Sequence, residues 1–562
     1  MWRNGSKSTA TSSVNGRVSP GDTLFHDLGS FVIYLIIVAS VGIFILWPVV
    51  AVLISSVYSN GSLNFSYYHD LFTNNRKLLI NSLFVAGLTT VLTVAWGLVI
   101  ALFITHLHNK GKKIVFSVLL LTMISPPFVT SLAYIMLFGK RGIITYKLLG
   151  LSLNPYGWHG IVLMQTLGFI SLAALLMIGV LRGLDKNLEQ ASLDLGAGSW
   201  QTLTGVIIPL VKPGIIAAAL ITFIRSLADF GTPIIIGGGY SVLATEAYLN
   251  VIGLYNLPRA SAMSILLLLP AIFVFILYRR LLSNSQAFTS KPGGAEYGQF
   301  MLPGWINMIF TVLTWSFVLI VLLQYGTILA GAFVKTWGVD FSFSLKHIHA
   351  LTTGKFVSIV RSLQYAVLAG VAGSIIGILL SYILERKKIA GYQVLDFVAT
   401  LPFMIPGPFL GIGYVLAFHD YPLALTGTAF IVIVNCIYRQ LPIGTKAGTA
   451  VLSQLNPQVE NGARDLGAGE LRVFKDIMLP ALKPAFILSF INTFTTTMTT
   501  IGAVIFLVTP GSKLATVEMF DAIKKGDIGL GAVMANMIII IVLAVNLGFT
   551  WLLLRRGRSR PL

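Results

Sequence analysis

Long apolar runs alternate with short polar connections along the whole chain. A bilayer core takes about 20 consecutive apolar residues per helix, and the sequence supplies such runs repeatedly. In the first half they centre on residues 31–56, 79–105, 114–138, 160–181, 214–236 and 261–282. In the second half they centre on residues 304–332, 360–385, 393–418, 424–447, 485–508 and 529–554. The pattern therefore predicts an all-α membrane protein with about 12 transmembrane helices. Prolines fall inside several runs: Pro48, Pro126, Pro127, Pro270, Pro402, Pro406 and Pro408. They predict kinks rather than breaks, because neighbouring helices can satisfy the freed backbone groups.

Two polar stretches organise the chain. Residues 1–27, rich in Ser, Gly and Thr, read as a disordered cytoplasmic tail. The first apolar run is too long for a signal-peptide core and reads as an uncleaved helix. Residues 283–303 break the apolar pattern with Ser, Gly and Pro and read as a linker. The linker separates two homologous six-helix halves, 28–282 and 304–562. Asn81-Ser82-Leu83 finds Arg361-Ser362-Leu363 in the second half, and Gly97 finds Gly377. The segments around Pro126-Pro127 and Pro406-Gly407-Pro408 also correspond loosely. Repeats of this size in a membrane chain imply a pathway between the halves.

Composition agrees with lipid as part of the solvent. Charged residues make up 10% of the chain, against about 25% in soluble domains. The net charge of +19 marks cytoplasmic loops rather than a nucleic-acid surface, since the basic residues form no long run with interleaved aromatics. With the N-terminus inside, most of the 39 lysines and arginines fall on the cytoplasmic side, and Arg225 falls within a span. This bias places both termini in the cytoplasm. Cys436 is a single cysteine in an apolar run, so no disulfide forms within the chain.

The clearest repeat lies between the fourth and fifth spans of each half, at about 182–213 and 450–484. The first copy runs from Glu189 through Gln190, Asp194, Gly196 and Gly198 to Pro209, Lys212 and Pro213. The second runs from Glu460 through Asn461, Asp465, Gly467 and Gly469 to Pro480, Lys483 and Pro484. Matched positions are 271 residues apart throughout (460 − 189 = 484 − 213 = 271), with nothing inserted or lost. The spacing predicts a short helix, a glycine turn and a second helix. Gly196 and Gly467 supply left-handed geometry, and Pro209 and Pro480 end the second helix. A loop kept only for packing would not need charge, glycine and proline at fixed spacing. Two equal cytoplasmic segments suit a partner that also comes in two equal copies.

The pattern E-x-x-x-x-D-L-G-A-G, followed by P-x-x-K-P, resembles the EAA loop of permeases from bacterial binding-protein-dependent ABC importers. The resemblance covers nearly the whole chain and implies the type I ABC importer permease fold. Two permease units in one chain, with Asp229-Phe230-Gly231-Thr232-Pro233 ending the fifth span, resemble ferric-iron importer permeases. Ferric iron is the cargo this implies. Related permeases serve 2-aminoethylphosphonate, sugar phosphate, thiamine or, more distantly, polyamine. By the same resemblance, Glu189, Gln190, Asp194 and Gly196, with Glu460, Asn461, Asp465 and Gly467, dock the ATPase. The expected partners are two copies of an ABC ATPase subunit, an external substrate-binding protein and the lipid bilayer, without nucleic acid. That binding protein would meet outer loops near 237–260 and 509–528. The expected location is the bacterial inner membrane. No cofactor is expected in this chain, and ATP would sit on the partner, since the chain carries no phosphate-binding loop. Gln190 and Asn461 depart from the family's usual glutamate; both are polar and uncharged, so they retain hydrogen bonding but no ion pair there.

Within the spans, Arg225 and Asp229 are four residues apart on one helix face. Charges at this depth are costly and face a partner or a water-filled cavity; a self-satisfying local pair and a pathway role both fit. The matching positions are Thr496 and Thr500, so the halves differ along the expected pathway. His106-x-His108 and His347-x-His349 lack nearby carboxylate or cysteine sets in the sequence, so no metal site is expected. A secondary transporter would require ion-coupling carboxylates at the midplane, where Asp229 stands nearly alone. A membrane enzyme would need a catalytic set, and no G-x-S-x-G or H-E-x-x-H is present.

Overall fold

The computed structural model describes residues 28–283 apart from 60, 108, 109, 152 and 153, then residues 302–420 and 422–557. The expected tail 1–27, most of the 283–303 linker and His108 lie outside the described residues.

The described chain is overwhelmingly helical. Among the described residues, nine helices are long and apolar enough to cross a membrane, or up to 11 if two sharply bent pairs each count as one. The helix Ala429–Gln454 is long enough but more polar, carrying Arg439 and Lys446. It corresponds to the expected span 424–447 and to Trp158–Arg182 in the first half. Large apolar side chains such as Phe273, Leu319, Leu547 and Trp551 are exposed on the outer helix faces, as lipid contact requires.

Several prolines break helices outright. Ser125, before Pro126, ends Lys112–Ile124 with ψ 143°. Ile405, before Pro406, ends Tyr392–Met404 with ψ 127°. A proline ring excludes the helical region for the residue before it, so the chain turns here and resumes as Phe128–Phe138 and Gly407–Phe418. The second pair is bent by 116°. Pro270 and Pro402 lie inside continuous helices, and Pro48 lies in the first turn of Trp47–Val57. Pro209 does not terminate its helix either. A π turn, Leu203–Ile207, precedes it, and the helix continues from Ser199 to Ala228. The wider turn relieves the clash between the ring and the preceding carbonyl. In the second half the equivalent helix bends by 60° between Ala481 and Lys483.

The repeat motifs have physical counterparts. Ser82 Oγ accepts the backbone N–H of Leu243 at 2.8 Å, and Ser362 Oγ accepts that of Ala515 at 2.8 Å. Each serine thereby anchors the start of a helix on a distant loop, Leu243–Ile252 or Ala515–Lys524. Gly97 and Gly377 lie at close helix crossings: an added Cβ would come within 3.2 Å of Ala173 or of the Gly444 backbone.

The first helix of each half packs on the other half. Tyr414 donates to the Phe44 carbonyl at 2.7 Å, and a Cβ on Gly413 would lie 2.6 Å from the Pro48 carbonyl oxygen. In exchange, Gly304–Gly331 lies along the first half, where Trp96 Nε1 donates to the Leu313 carbonyl at 2.9 Å and Tyr325 to that of Leu121 at 3.3 Å. An aromatic cluster closes the seam. Phe230 stacks on Tyr248 at 5.0 Å, Phe128 meets Phe520 at 5.0 Å, and Tyr248 meets Phe506 at 5.9 Å.

Candidate functional site

The repeated loops form matching helix–turn–helix units. Lys186–Asp194 starts at Asp185, whose carboxylate accepts the Asn187 N–H at 3.0 Å. Asn456 does the same for the Gln458 N–H at 3.0 Å, ahead of Gln458–Asp465. Both helices end in a left-handed glycine, Gly196 at φ 85° and Gly467 at φ 83°. A Cβ at either glycine would meet nothing within 4 Å. The backbone angle, not crowding, therefore calls for glycine.

The two motif glutamates turn inward. Glu189 is buried, and its Oε1 lies 2.8 Å from Nε2 of His106, the residue that follows helix Arg76–Thr105. The Thr105 hydroxyl donates to the Ala101 carbonyl, so it can only accept from His106 Nδ1, 2.6 Å away. Thr105 and Glu189 thus brace the imidazole from its two ring nitrogens. In the second half, Glu460 is buried with Oε1 2.8 Å from Arg386 Nε and Oε2 3.6 Å from Arg464. The Arg386 Nε–H is not aligned with the carboxylate, so the contact is ionic rather than a directed hydrogen bond. Arg386 Nη2 also donates to the carbonyls of Leu452 and Leu455, both at 2.8 Å. Each glutamate thus ties its loop to the end of the second span of its half.

The remaining motif residues face outward. Gln190, Asp194 and Gly196 are exposed, as are Asn461, Asp465 and Gly467. Gln190 Nε2 donates to Asp194 Oδ1 at 3.0 Å. Beside them Leu195 and Leu466 are 88% and 90% exposed, an uncommon state for leucine on a well-ordered turn. The sequence reading passed over both, although they sit inside its D-L-G-A-G motif. It weighed His106 only as half of a metal pair and gave Arg386 no role at the loop. The 280-residue offset that relates Ser82 to Ser362 relates these two as well (386 − 106 = 280).

Between the halves the polar residues are not paired as the i, i+4 spacing suggested. Helix Ile208–Ala228 ends just before Asp229. Asp229 Oδ2 accepts from Gln165 Nε2 at 3.0 Å, and Oδ1 accepts the N–H groups of Gly231 and Thr232 at 3.0 and 3.1 Å. Gln165 is itself held by Ser226 and Thr89. Among the described residues Arg225 makes no hydrogen bond or ion pair. On the second half Thr500 is partly buried, and its hydroxyl accepts from Arg439 Nη1 at 3.2 Å. Thr496 is partly buried one turn earlier. Arg439 lies within a helix, where the sequence reading had placed only Arg225.

A family model, the binding-protein-dependent transport system inner membrane component, matches residues 93–284 and again residues 371–555. Each match contains one glycine-turn loop.

The chain belongs to this family.

The permease is 30% identical over 525 residues to the ferric transport system permease protein FbpB of Actinobacillus pleuropneumoniae, covering 91% of this chain and 76% of the relative. It is 31% identical over 496 residues to the putative ferric transport system permease protein FbpB 1 of Haemophilus influenzae, covering 85% of this chain and 78% of that one. One portion is 33% identical over 161 residues to the molybdenum transport system permease protein ModB of Escherichia coli, covering 28% of this chain and 70% of the relative. The double match accounts for the internal repeat: two permease units are joined in one polypeptide. The permease is a multi-pass membrane transport subunit rather than an enzyme, with the all-α architecture of type I importer permeases.

Proposed function

We propose that this permease imports ferric iron, delivered by an external binding protein and driven by two copies of an ABC ATPase docked on its two loops. The observation that carries the cargo is the similarity to ferric transport permeases over nine-tenths of the chain. In this reading the exposed faces around Gln190, Asp194 and Leu195, and around Asn461, Asp465 and Leu466, seat in the ATPase subunits. Glu189 and Glu460 act from behind, fixing each loop to its helical bundle so that movement of the ATPase is passed on. The loops and both termini lie in the cytoplasm, in keeping with the Lys and Arg bias. ATP is bound and hydrolysed by the partner, and this chain needs no cofactor of its own.

The test is uptake by the complete transporter in proteoliposomes, with binding protein outside and ATP inside. Radiolabelled ferric iron should accumulate, whereas 2-aminoethylphosphonate, thiamine and sugar phosphate should not. Accumulation of one of those solutes without iron would overturn the cargo assignment. Protease access to tags at the two termini tests the orientation.

A further inference from the structure

Arg225 and Arg439 come from opposite halves and non-equivalent spans, yet their charges lie within Coulombic reach of each other. Arg225 is exposed and Arg439 partly exposed, so neither guanidinium is sealed in close-packed core. Arg225 lies 13 residues beyond Lys212 (225 − 212 = 13), or about 20 Å along the helix. That is well inside a hydrocarbon core of about 30 Å.

Two like charges at this depth require an opposite charge, and arginine does not escape by losing its proton. Among the described residues neither arginine pairs with a carboxylate. The Asp229 carboxylate is turned to Gln165 and to two backbone N–H groups. Asp396 is paired with Lys446 at 2.7 Å. Arg439 has a neutral partner, the Thr500 hydroxyl. The surroundings leave room for the guanidinium to be used: a Cβ on Gly407 would come within 2.8 Å of Arg439 Nη2, and one on Gly502 within 3.3 Å of Nη1. One turn earlier on the same helix face, Asn435 is buried with neither its amide nitrogen nor its carbonyl oxygen bonded among the described residues.

We infer that Arg225 and Arg439 form an anion site between the halves, and that the transported species crosses with negative charge. Planar guanidinium forks suit carboxylate and oxyanion oxygens. A bare ferric ion would meet two positive charges where it has to pass. A ferric ion accompanied by a small oxyanion or polycarboxylate would instead be attracted. This rests on the ferric-iron reading above and adds the form in which the iron moves.

The experiment uses the complete transporter in proteoliposomes, with iron presented on the binding protein and either ³²P-phosphate or ¹⁴C-citrate as the only such anion outside. With the wild-type chain one label should enter in step with the iron. Arg225→Gln and Arg439→Gln should each lower iron uptake about tenfold or more, the effect of losing one charge-assisted contact. ATP hydrolysis stimulated by the binding protein should persist in both. Arg439→Lys should retain a larger share of uptake, and Gly407→Ala, which pushes Arg439 aside, should mimic its loss. Iron entering without either label, together with normal uptake by both glutamine variants, would overturn the anion site while leaving iron as the cargo. Conversely, uptake of a free oxyanion without iron, lost in both glutamine variants, would overturn the iron reading while upholding the site.

Discussion

His106 and Arg386 stand at corresponding points of the two halves, and each holds the buried glutamate of its own loop at 2.8 Å. The halves thus share a latch built from different basic side chains. Arg386 is braced further by hydrogen bonds to Leu452 and Leu455, and His106 by Thr105. Removing a partner from a buried ion pair strands a charge and costs about 3–5 kcal/mol. Arg386→Ala and His106→Ala should therefore each lower the thermal midpoint of the purified permease. Arg386→Lys should fall between wild type and Arg386→Ala, because an ammonium cannot span the carboxylate and both carbonyls in one planar fork. Wild-type midpoints in all three variants would show that the latch carries no strength.

The turn glycines test conformation separately from contact. Both have left-handed angles and open space around them, and a β-branched residue there is strained by about 1–2 kcal/mol. Gly196→Val or Gly467→Val should leave the permease folded but reduce iron uptake relative to ATP hydrolysed. Asparagine tolerates the left-handed region, so Gly196→Asn should transport nearly as wild type. Uptake per ATP that is identical in valine and asparagine variants would remove the turn from the coupling path.

Leu195 and Leu466 offer a partner apolar side chains that the permease itself does not use. Exposed positions of this kind change stability by no more than about 0.5 kcal/mol, whereas a central interface anchor is worth about 2 kcal/mol or more. Leu195→Asp and Leu466→Asp should keep the thermal midpoint and weaken ATPase capture on immobilised permease by tenfold or more. The double variant should lose the ATPase altogether.

Gln165 holds the carboxylate of Asp229 and takes hydrogen bonds from Ser226 and Thr89. Gln165→Leu keeps most of the volume but removes these partners. The expected loss is about 1–3 kcal/mol for each buried group left unsatisfied, read as a lower thermal midpoint. Pairing the change with Asp229→Asn should recover part of it, because the stranded charge is gone.

Local chemistry was legible in the sequence, and long-range pairing was not. The 271-residue repeat led directly to two loops with matching caps and matching left-handed glycines, because turn geometry is set by neighbours in the chain. His106 and Arg386, which hold Glu189 and Glu460, lie 83 and 74 residues away from them (189 − 106 and 460 − 386), and only helix packing brings these pairs together. Arg225 and Asp229 show the converse. Their spacing suggested a pair, but the helix ends at Ala228 and the carboxylate turns to cap the next one. Pro126 and Pro406 were read as kinks, yet each forced the preceding residue into extended geometry and turned the chain. Arg439 lies inside a span the apolar pattern did predict, but its contact with Thr500, 61 residues away, is set by helix packing and not by its neighbours in the chain.

The helices that follow the two loops differ in mechanical character. In the first half a single rod of 30 residues runs from Ser199 to Ala228 and delivers whatever its loop receives to the neighbourhood of Arg225 and Asp229. In the second half the same path has an elbow of 60° between Ala481 and Lys483, so part of an equal push is spent in flexing. Two identical motors gripping this chain would thus produce unequal strokes, with Arg225 driven and Thr500 trailing. A permease built from two copies of one subunit has no such bias in its resting form; joining the halves allows each arm its own stiffness, and so lets one side of the passage lead the other.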